Sequence, residues 1–354
     1  MAGVLITGGA GFIGSQLARR LIGEGHRVAI FDNLARPGAG QNLALLRADP
    51  GLADFDLFQG DVRDFAAPCR AAEGAERIYH LAGQVAVTSS IRDPRADFDA
   101  NALGTLNALE AARAIGTDPI FLYSSTNKVY GALESLAIVE GATRYAYANL
   151  PHGVAESQPL DFSSPYGCSK GAADQYVRDY HRIYGVRTVV LRQSCIYGYG
   201  QFGVADQGWA AWLLIAALRG WPISIYGDGK QVRDMLFIDD LLDLYDAAIG
   251  NIDRAAGQIY NIGGGPEQTV SVWAEFGPLL QALVDEPIAV TSLGWRPADQ
   301  RVYISDIRKA ERELGWRPRV GVAEGLRRTV DWMRTQQALF DDLYAPGLVL
   351  AADS

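Results

Sequence analysis

Tyr166 and Lys170, in the run Ser164-Pro165-Tyr166-Gly167-Cys168-Ser169-Lys170, are the side chains of this 354-residue chain whose types and spacing best suit chemistry. Four residues apart on a helix, they share one face. A phenol titrates near pH ~10 and is a poor base at neutral pH, and a neighbouring ammonium is the usual means of lowering it. The pair predicts a proton-transfer site in which the lysine keeps the phenol ionisable. Alone, the same spacing also describes an ordinary surface pair, so the elements around it decide.

Those elements read as a nucleotide fold. Val4-Leu5-Ile6-Thr7 is a short apolar strand, followed by Gly8-Gly9-Ala10-Gly11-Phe12-Ile13-Gly14 and an apolar-periodic helix. Gly8, Gly11 and Gly14 let the backbone turn sharply, approach a pyrophosphate and pack the helix on the sheet. The helix start at Phe12 and Ile13 offers free N–H groups to the anion. A second strand, Val28-Ala29-Ile30-Phe31, ends in Asp32, near the ~20-residue offset at which a carboxylate meets an adenosine ribose 2′-hydroxyl. Asp32 favours NAD, and Arg36 is close enough in sequence to keep NADP open.

Strand-like runs at 55–58, 77–81, 120–123 and 188–191 alternate with helical patterns, which predicts a doubly wound α/β fold with a parallel sheet. Ligands of such sheets bind outside the carboxyl ends of the strands. The residues that follow each run are therefore candidates: Asp61 and Val62; Ala82 and Gly83; Ser124, Ser125 and Thr126; Gln193, Ser194 and Cys195. After Gly198 the pattern turns to loops and helices rich in Trp, Gly and Pro. The expected division is a nucleotide-binding domain over residues 1–190, taking segments near 232–262, and a mainly substrate-binding part over 191–354.

No apolar run reaches the ~18 residues of a membrane span, and Met1 is followed at once by a strand, so a cytoplasmic protein with no membrane partner is expected. A net charge of −9 leaves no basic footprint for nucleic acid. Cys69, Cys168, Cys195 and the four histidines are scattered, giving neither a disulfide framework nor a metal set.

With these motifs in place, the chain resembles the extended short-chain dehydrogenase/reductase family, the nucleotide-sugar epimerases and dehydratases. The resemblance covers nearly the whole chain. It rests on the glycine turn with Asp32-Asn33-Leu34, Gly60-Asp61-Val62, His80-Leu81-Ala82-Gly83, Asn101 with Gly104-Thr105, Ser124-Ser125-Thr126, Tyr166 with Lys170, and Arg233-Asp234 before Phe237-Ile238-Asp239-Asp240. It implies a Rossmann-type fold with a smaller C-terminal α/β substrate domain. It also implies NAD, held by the glycine turn, Asp32, Asn33, Asp61, Val62, Leu81, Ala82, Gly83, Asn101 and Ser124, and a nucleotide-sugar substrate. By position, Thr126 matches the hydroxyl that bonds the reacting sugar oxygen and Tyr166 the acid/base. Lys170 matches the residue that binds the nicotinamide ribose and lowers the tyrosine pKa, and Arg233 and Arg301 match positions that contact the diphosphate. A homo-oligomer, dimer or tetramer, is implied as well. The amphipathic stretches 96–115 and 172–184 either pair across its two-fold axis or cover their own sheet.

Asn127 and Lys128 follow Thr126 where dehydratases of the family carry an Asp-Glu pair. An amide is no general acid for a departing hydroxyl, so elimination is not expected. Residues 124–131, Gly83-Gln84-Val85-Ala86, Gln201-Phe202 and residues 229–234 are similar to members that invert C2 of CDP-hexoses. That implies transient oxidation to a 2-keto sugar and hydride return to its opposite face. A UDP-hexose or UDP-uronate 4-epimerase is the next reading. A non-catalytic NAD-binding sensor or scaffold is a third, against which the intact Thr126, Tyr166 and Lys170 argue. Around the sugar, Thr88 and Ser89 are candidates for its hydroxyls or caps of a helix beginning near Ser90, and Gln201 is a further contact. Cys195 stands where 4-epimerases carry a substrate-contacting Asn, and reads as a small apolar contact and not a reactive thiol. Trp209, Trp212 and Trp221 read as core ahead of base-stacking residues, His80 as structural, and Lys128 as a neighbour of the sugar or diphosphate.

Overall fold

The computed structural model describes residues 3–295 and 299–344. Seven strands form one parallel sheet: β1 (Gly3–Thr7), β2 (Arg27–Asp32), β3 (Asp56–Gln59), β4 (Arg77–His80), β5 (Ile120–Thr126), β6 (Arg187–Gln193) and β7 (Gln258–Ile262). Their order is β7-β6-β5-β4-β1-β2-β3, and every pairing is parallel. The order reverses beside β1, which makes the crevice between β1 and β4 the switch point where a doubly wound sheet takes its ligand. β1 and most of β5 and β6 are buried, because helices cover both faces of the sheet; such strands carry continuous apolar runs and no alternation.

β5 and β6 are each longer than their apolar runs. They continue through polar residues to Thr126 and Gln193, which stand opposite each other in register, with Ser125 opposite Arg192. The strand ends that carry candidate chemistry are thus part of the ladder and do not fray into loops.

After β6 the chain leaves the sheet. It forms the helix Trp209–Leu218, a parallel pair of strands, Ile223–Tyr226 with Val290–Leu293, and a small sheet around Val232–Phe237. It returns to the large sheet as β7 before Thr269–Ser271, Val290–Leu293 and Val302–Tyr303 complete the added pair and the small sheet. One apolar cluster runs from beneath β1 into this added region, and a second fills the opposite face, with Phe121, Tyr123 and Val190 at its centre. His80 is wholly buried between the hydroxyls of Thr7 and Thr105, at 2.8 and 3.1 Å. Burial, with Lys170 nearby, pushes its pKa down to about 3, so it serves as a neutral hydrogen-bond hub.

The stretch 96–115 is one continuous helix interrupted by a π-helical turn. It runs Pro94–Phe98, a π-turn Asp99–Leu103, then Gly104–Ala114. This stretch and the long helix Pro165–Tyr184 bury one side on the sheet and expose Phe98, Leu103, Tyr176, Ile183 and Tyr184 on the other. Among the described residues no helix is long and apolar enough to cross a membrane, and no group of His, Cys, Asp or Glu could hold a metal ion.

Candidate active site

Four helices position the site: α1 (Phe12–Gly23), α2 (Val87–Arg92), α3 (Pro165–Tyr184) and α4 (Trp209–Leu218). α3 starts sharply, because Ser164 accepts the Gly167 N–H at 3.1 Å and Pro165 takes the first turn. Tyr166 therefore sits at the helix start and Lys170 one turn on. The Tyr166 N–H donates to Ser90 Oγ of α2 at 3.1 Å, which ties the catalytic helix to the cavity wall. Thr126, Tyr166 and Lys170 are 7, 8 and 6% exposed and line one cavity of about 870 Å³.

Burial pushes the Tyr166 phenol up to about 12; the Thr126 hydroxyl, as its hydrogen-bond partner, pulls it down and Asp97 adds to the rise, while Arg36 opposes it. No hydrogen bond joins Lys170 to the phenol. Its Nζ donates instead to Ser124 O at 2.6 Å and lies 4.4 Å from the Tyr123 ring centroid. Burial lowers its pKa to about 7, against the pull of Asp174 and Asp97. The helical spacing does bring both side chains to the cavity, but the strand-end carbonyl captures the ammonium. Thr126 is the phenol's immediate partner.

A buried network, which no local pattern in the sequence announces, fixes this geometry. Asp174, one turn beyond Lys170, takes two bonds from Arg192 at 2.9 Å each and one from Ser125 Oγ at 2.7 Å. Arg192 also donates to Tyr130 Oη at 2.9 Å, and that hydroxyl donates to Asn261 Oδ1 at 2.7 Å. Thus α3, β5, β6 and β7 are locked together directly beside Thr126. For Arg192, burial works against the charge, but the bonds it donates to Asp174, with that carboxylate's charge, outweigh it and hold the pKa above its ordinary value.

The glycine turn fits a dinucleotide. Gly8 has φ +70°, and a Cβ there would lie 2.7 Å from Ala82 N; one on Gly14 would lie 2.3 Å from Gly8 O. The turn is therefore pressed against both β4's exit and α1. At the α1 N-terminus Gly11 gives no side-chain cap, which leaves first-turn N–H groups for an anion. Asp32 closes β2 and accepts from Ala10 N at 3.0 Å and Leu34 N at 2.8 Å, so its carboxylate stands beside the turn. Asn33 donates to Asp61 at 3.0 Å, and Arg63, which also pairs with Asp61, is the main cause of that carboxyl's low pKa of about 2. Val62 packs against Gly104. The Asn101 Oδ1 is buried without a partner, 2.5 Å from where a Cβ on Gly83 would stand. Phe12, Ile13, Leu81 and Ser124 line the cavity itself. Gly14→Ala is expected to lose nearly all retained dinucleotide, because its Cβ meets fixed backbone. Mass spectrometry of the purified variant checks this, and wild-type cofactor content would refute it.

On the substrate side, Thr88, Cys195, Gln201 and Arg233 line the cavity, whereas Ser89 and Arg301 do not. α2 begins at Val87 and not near Ser90. Thr88 therefore faces the cavity with its hydroxyl buried and unpartnered, and Ser90 turns inward to Val87 O and Tyr166 N. Arg301 is exposed, its guanidinium near the rings of Tyr145 and Trp295 at 5.4 and 5.2 Å. Arg233 pairs with Asp299 at 2.7 Å. Cys195 Sγ accepts from Trp209 Nε1 at 3.3 Å, and burial pushes the thiol up, which keeps it unreactive. Trp209, Trp212 and Trp221 correct the core reading: each packs against the core on one side and lines the cavity on the other. Gln193, Ser194 and Lys128 complete the polar wall.

This arrangement has known counterparts. The profile described as the NAD dependent epimerase/dehydratase family matches residues 4–263. The chain is 43% identical over 336 residues to the CDP-paratose 2-epimerase of Salmonella typhi, covering 93% of this chain and 98% of that one. Among solved structures, a dTDP-glucose 4,6-dehydratase from Streptomyces venezuelae with NAD bound aligns with a TM-score of 0.80 and 31% identity, over 96% of this chain and 99% of its own. A UDP-glucose 4-epimerase from Thermotoga maritima with UDP-glucose aligns at 0.80 and 29%, over 95 and 99%. With its parallel sheet, glycine turn and Thr126-Tyr166-Lys170 wall, the chain belongs to the NAD-dependent epimerase/dehydratase family.

Proposed function

We propose that the protein is a nucleotide-sugar epimerase that binds NAD along the glycine turn and inverts C2 of a CDP-hexose. The observation that carries the reaction type is the meeting of the Thr126 and Tyr166 hydroxyls on one cavity wall, followed by Asn127 and Lys128 and not by the carboxyl pair that elimination requires. The choice of C2 and of CDP draws its support from the relative at 43% identity over nearly the full length.

NAD supplies the hydride acceptor and donor. The chain's own groups handle the proton. Tyr166 takes it from the C2 hydroxyl and later returns it, while Thr126 holds the same oxygen through the 2-keto stage. Lys170, anchored on Ser124 O, stands at the edge of the dinucleotide groove, where its ammonium suits ribose hydroxyls. A volume of about 870 Å³ leaves space for the sugar to present its other face. The aromatic wall from Trp209 to Trp221 offers apolar surface to the base, and Arg233 offers a fork to the diphosphate.

Incubation with CDP-glucose, CDP-paratose and UDP-glucose, followed by NMR of the sugar, is expected to show inversion at C2 of the CDP sugars. Conversion of UDP-glucose alone would overturn the reading in favour of a 4-epimerase. The three free cysteines fit a reducing, cytoplasmic setting. The apolar side chains exposed on α3 and its neighbour mark the face where two copies meet; a monomer by light scattering at micromolar concentration would refute that.

A further inference from the structure

We propose that Lys128 holds the phosphate attached to C1 of the sugar, beside the catalytic hydroxyls, and so presents C2 to Tyr166. The inference rests on the C2 reading above and adds to it the residue that selects the carbon.

Lys128 is built into the catalytic wall through its backbone. Its N–H donates to Thr126 Oγ1 at 3.2 Å, and its carbonyl lies 3.1 Å from where a Cβ on Gly167 would stand, next to Tyr166. The side chain lines the cavity. Among the described residues its Nζ bonds only a neutral partner, Gln300 Oε1 at 3.3 Å, and that amide is itself held by Asn127 and by Gly131 O. Among the described residues no carboxylate comes within ion-pair distance of it. The nearby Asp299 is engaged by Arg233. Burial, and then the adjacent Arg233, lower the lysine pKa to about 8, a cost that an anion in the cavity would reverse. Two cations and one carboxylate leave this wall positive, as a diphosphate requires.

Ring geometry makes the position informative. In a hexopyranose, C2 is bonded to C1, which carries the phosphate, whereas C4 lies across the ring. When C2 faces Tyr166, the phosphate must lie close to Thr126. When C4 faces it, the phosphate lies on the far side of the sugar. A cation two residues after Thr126 suits the first pose and is misplaced for the second. Held there, the phosphate also becomes the pivot about which the oxidised ring turns.

The test uses the cofactor-loaded enzyme. CDP, which has both phosphates and no sugar, is titrated by calorimetry into the wild type and into K128Q, K128M and K128R, and C2 inversion of CDP-glucose is followed by NMR. K128Q and K128M are expected to bind CDP about 10–100-fold more weakly and to lose about tenfold or more in kcat, while K128R keeps CDP affinity within about threefold. Unchanged CDP affinity in the neutral variants overturns the proposal even if turnover falls, since a sugar-hydroxyl contact or a disturbed Thr126 would give that pattern. Unchanged kcat overturns it as well. Should the neutral variants not fold, wild-type protein is reductively methylated with and without saturating CDP; protection of Lys128 is expected, and equal labelling refutes the contact. Wild-type turnover at C2 tests the underlying reading separately.

Discussion

Replacing Tyr166 by phenylalanine is expected to cut turnover of the CDP-hexose about 10²–10⁴-fold while fold and cofactor content stay at wild-type levels. The backbone at 166 keeps its bond to Ser90, and the ring keeps its packing, because only the hydroxyl is removed. What is lost is the one group placed to take a proton from an alcohol held by Thr126. Burial pushes the phenol up to about 12, so phenolate is disfavoured in the empty site, and the positive charge of bound NAD would act to favour it. Thr126 alone cannot replace that function, since an aliphatic hydroxyl is a far weaker acid. NMR-monitored turnover, together with mass spectrometry for retained NAD, reads both parts. Turnover within about threefold of wild type would remove Tyr166 from the mechanism.

The second large effect concerns stability. Asp174→Ala strands the Arg192 guanidinium, 3% exposed, without its carboxylate, and is expected to destabilise the protein by about 3–5 kcal/mol in denaturant unfolding. It also frees Ser125 Oγ, so turnover should fall even at temperatures where the variant is folded. Asp174→Leu combined with Arg192→Met should recover much of the lost stability, because an apolar pair of similar volume removes both desolvated charges, yet turnover should stay low because Ser125 loses its acceptor and Tyr130 keeps only Asn261. A loss below about 1 kcal/mol for Asp174→Ala would show that the network does not hold the strands together.

Much of the fold was legible because its signals are local. The glycine turn, the strand ending in Asp32 and the Tyr166-Lys170 spacing each lie within a few residues of one another, and the structure gives them the elements they predict. The longer reach of β5 and β6 was not legible, since Ser124, Ser125 and Thr126 have no apolar character and are held in register by Leu191, Arg192 and Gln193 across the ladder. The bond that Lys170 makes was not legible for a related reason. Helical spacing says which face a side chain shares, but not that a carbonyl from another strand will bind the ammonium first. The tryptophans at 209, 212 and 221 were read as core because composition cannot distinguish a ring buried on two sides from one that is buried on one and forms a wall with the other. Ser89 and Arg301 were picked by position in a motif, and each points elsewhere, one because α2 begins three residues earlier than expected, the other because it rests on Tyr145 and Trp295.

The excursion of the chain between β6 and β7 has a consequence for biosynthesis. β6 has β5 on one side from the start, but its other edge stays bare until Gln258–Ile262 has been made. Until then a nascent chain on the ribosome carries a long, apolar, unsatisfied strand edge, the feature that invites pairing with a neighbouring polypeptide. The same late strand brings Asn261 to Tyr130, so the support behind Thr126 is finished only after most of the substrate wall, from Cys195 to Arg233, has been synthesised. A chain that stops after residue 257 is therefore expected to aggregate through that bare edge, which light scattering of the truncated protein would check.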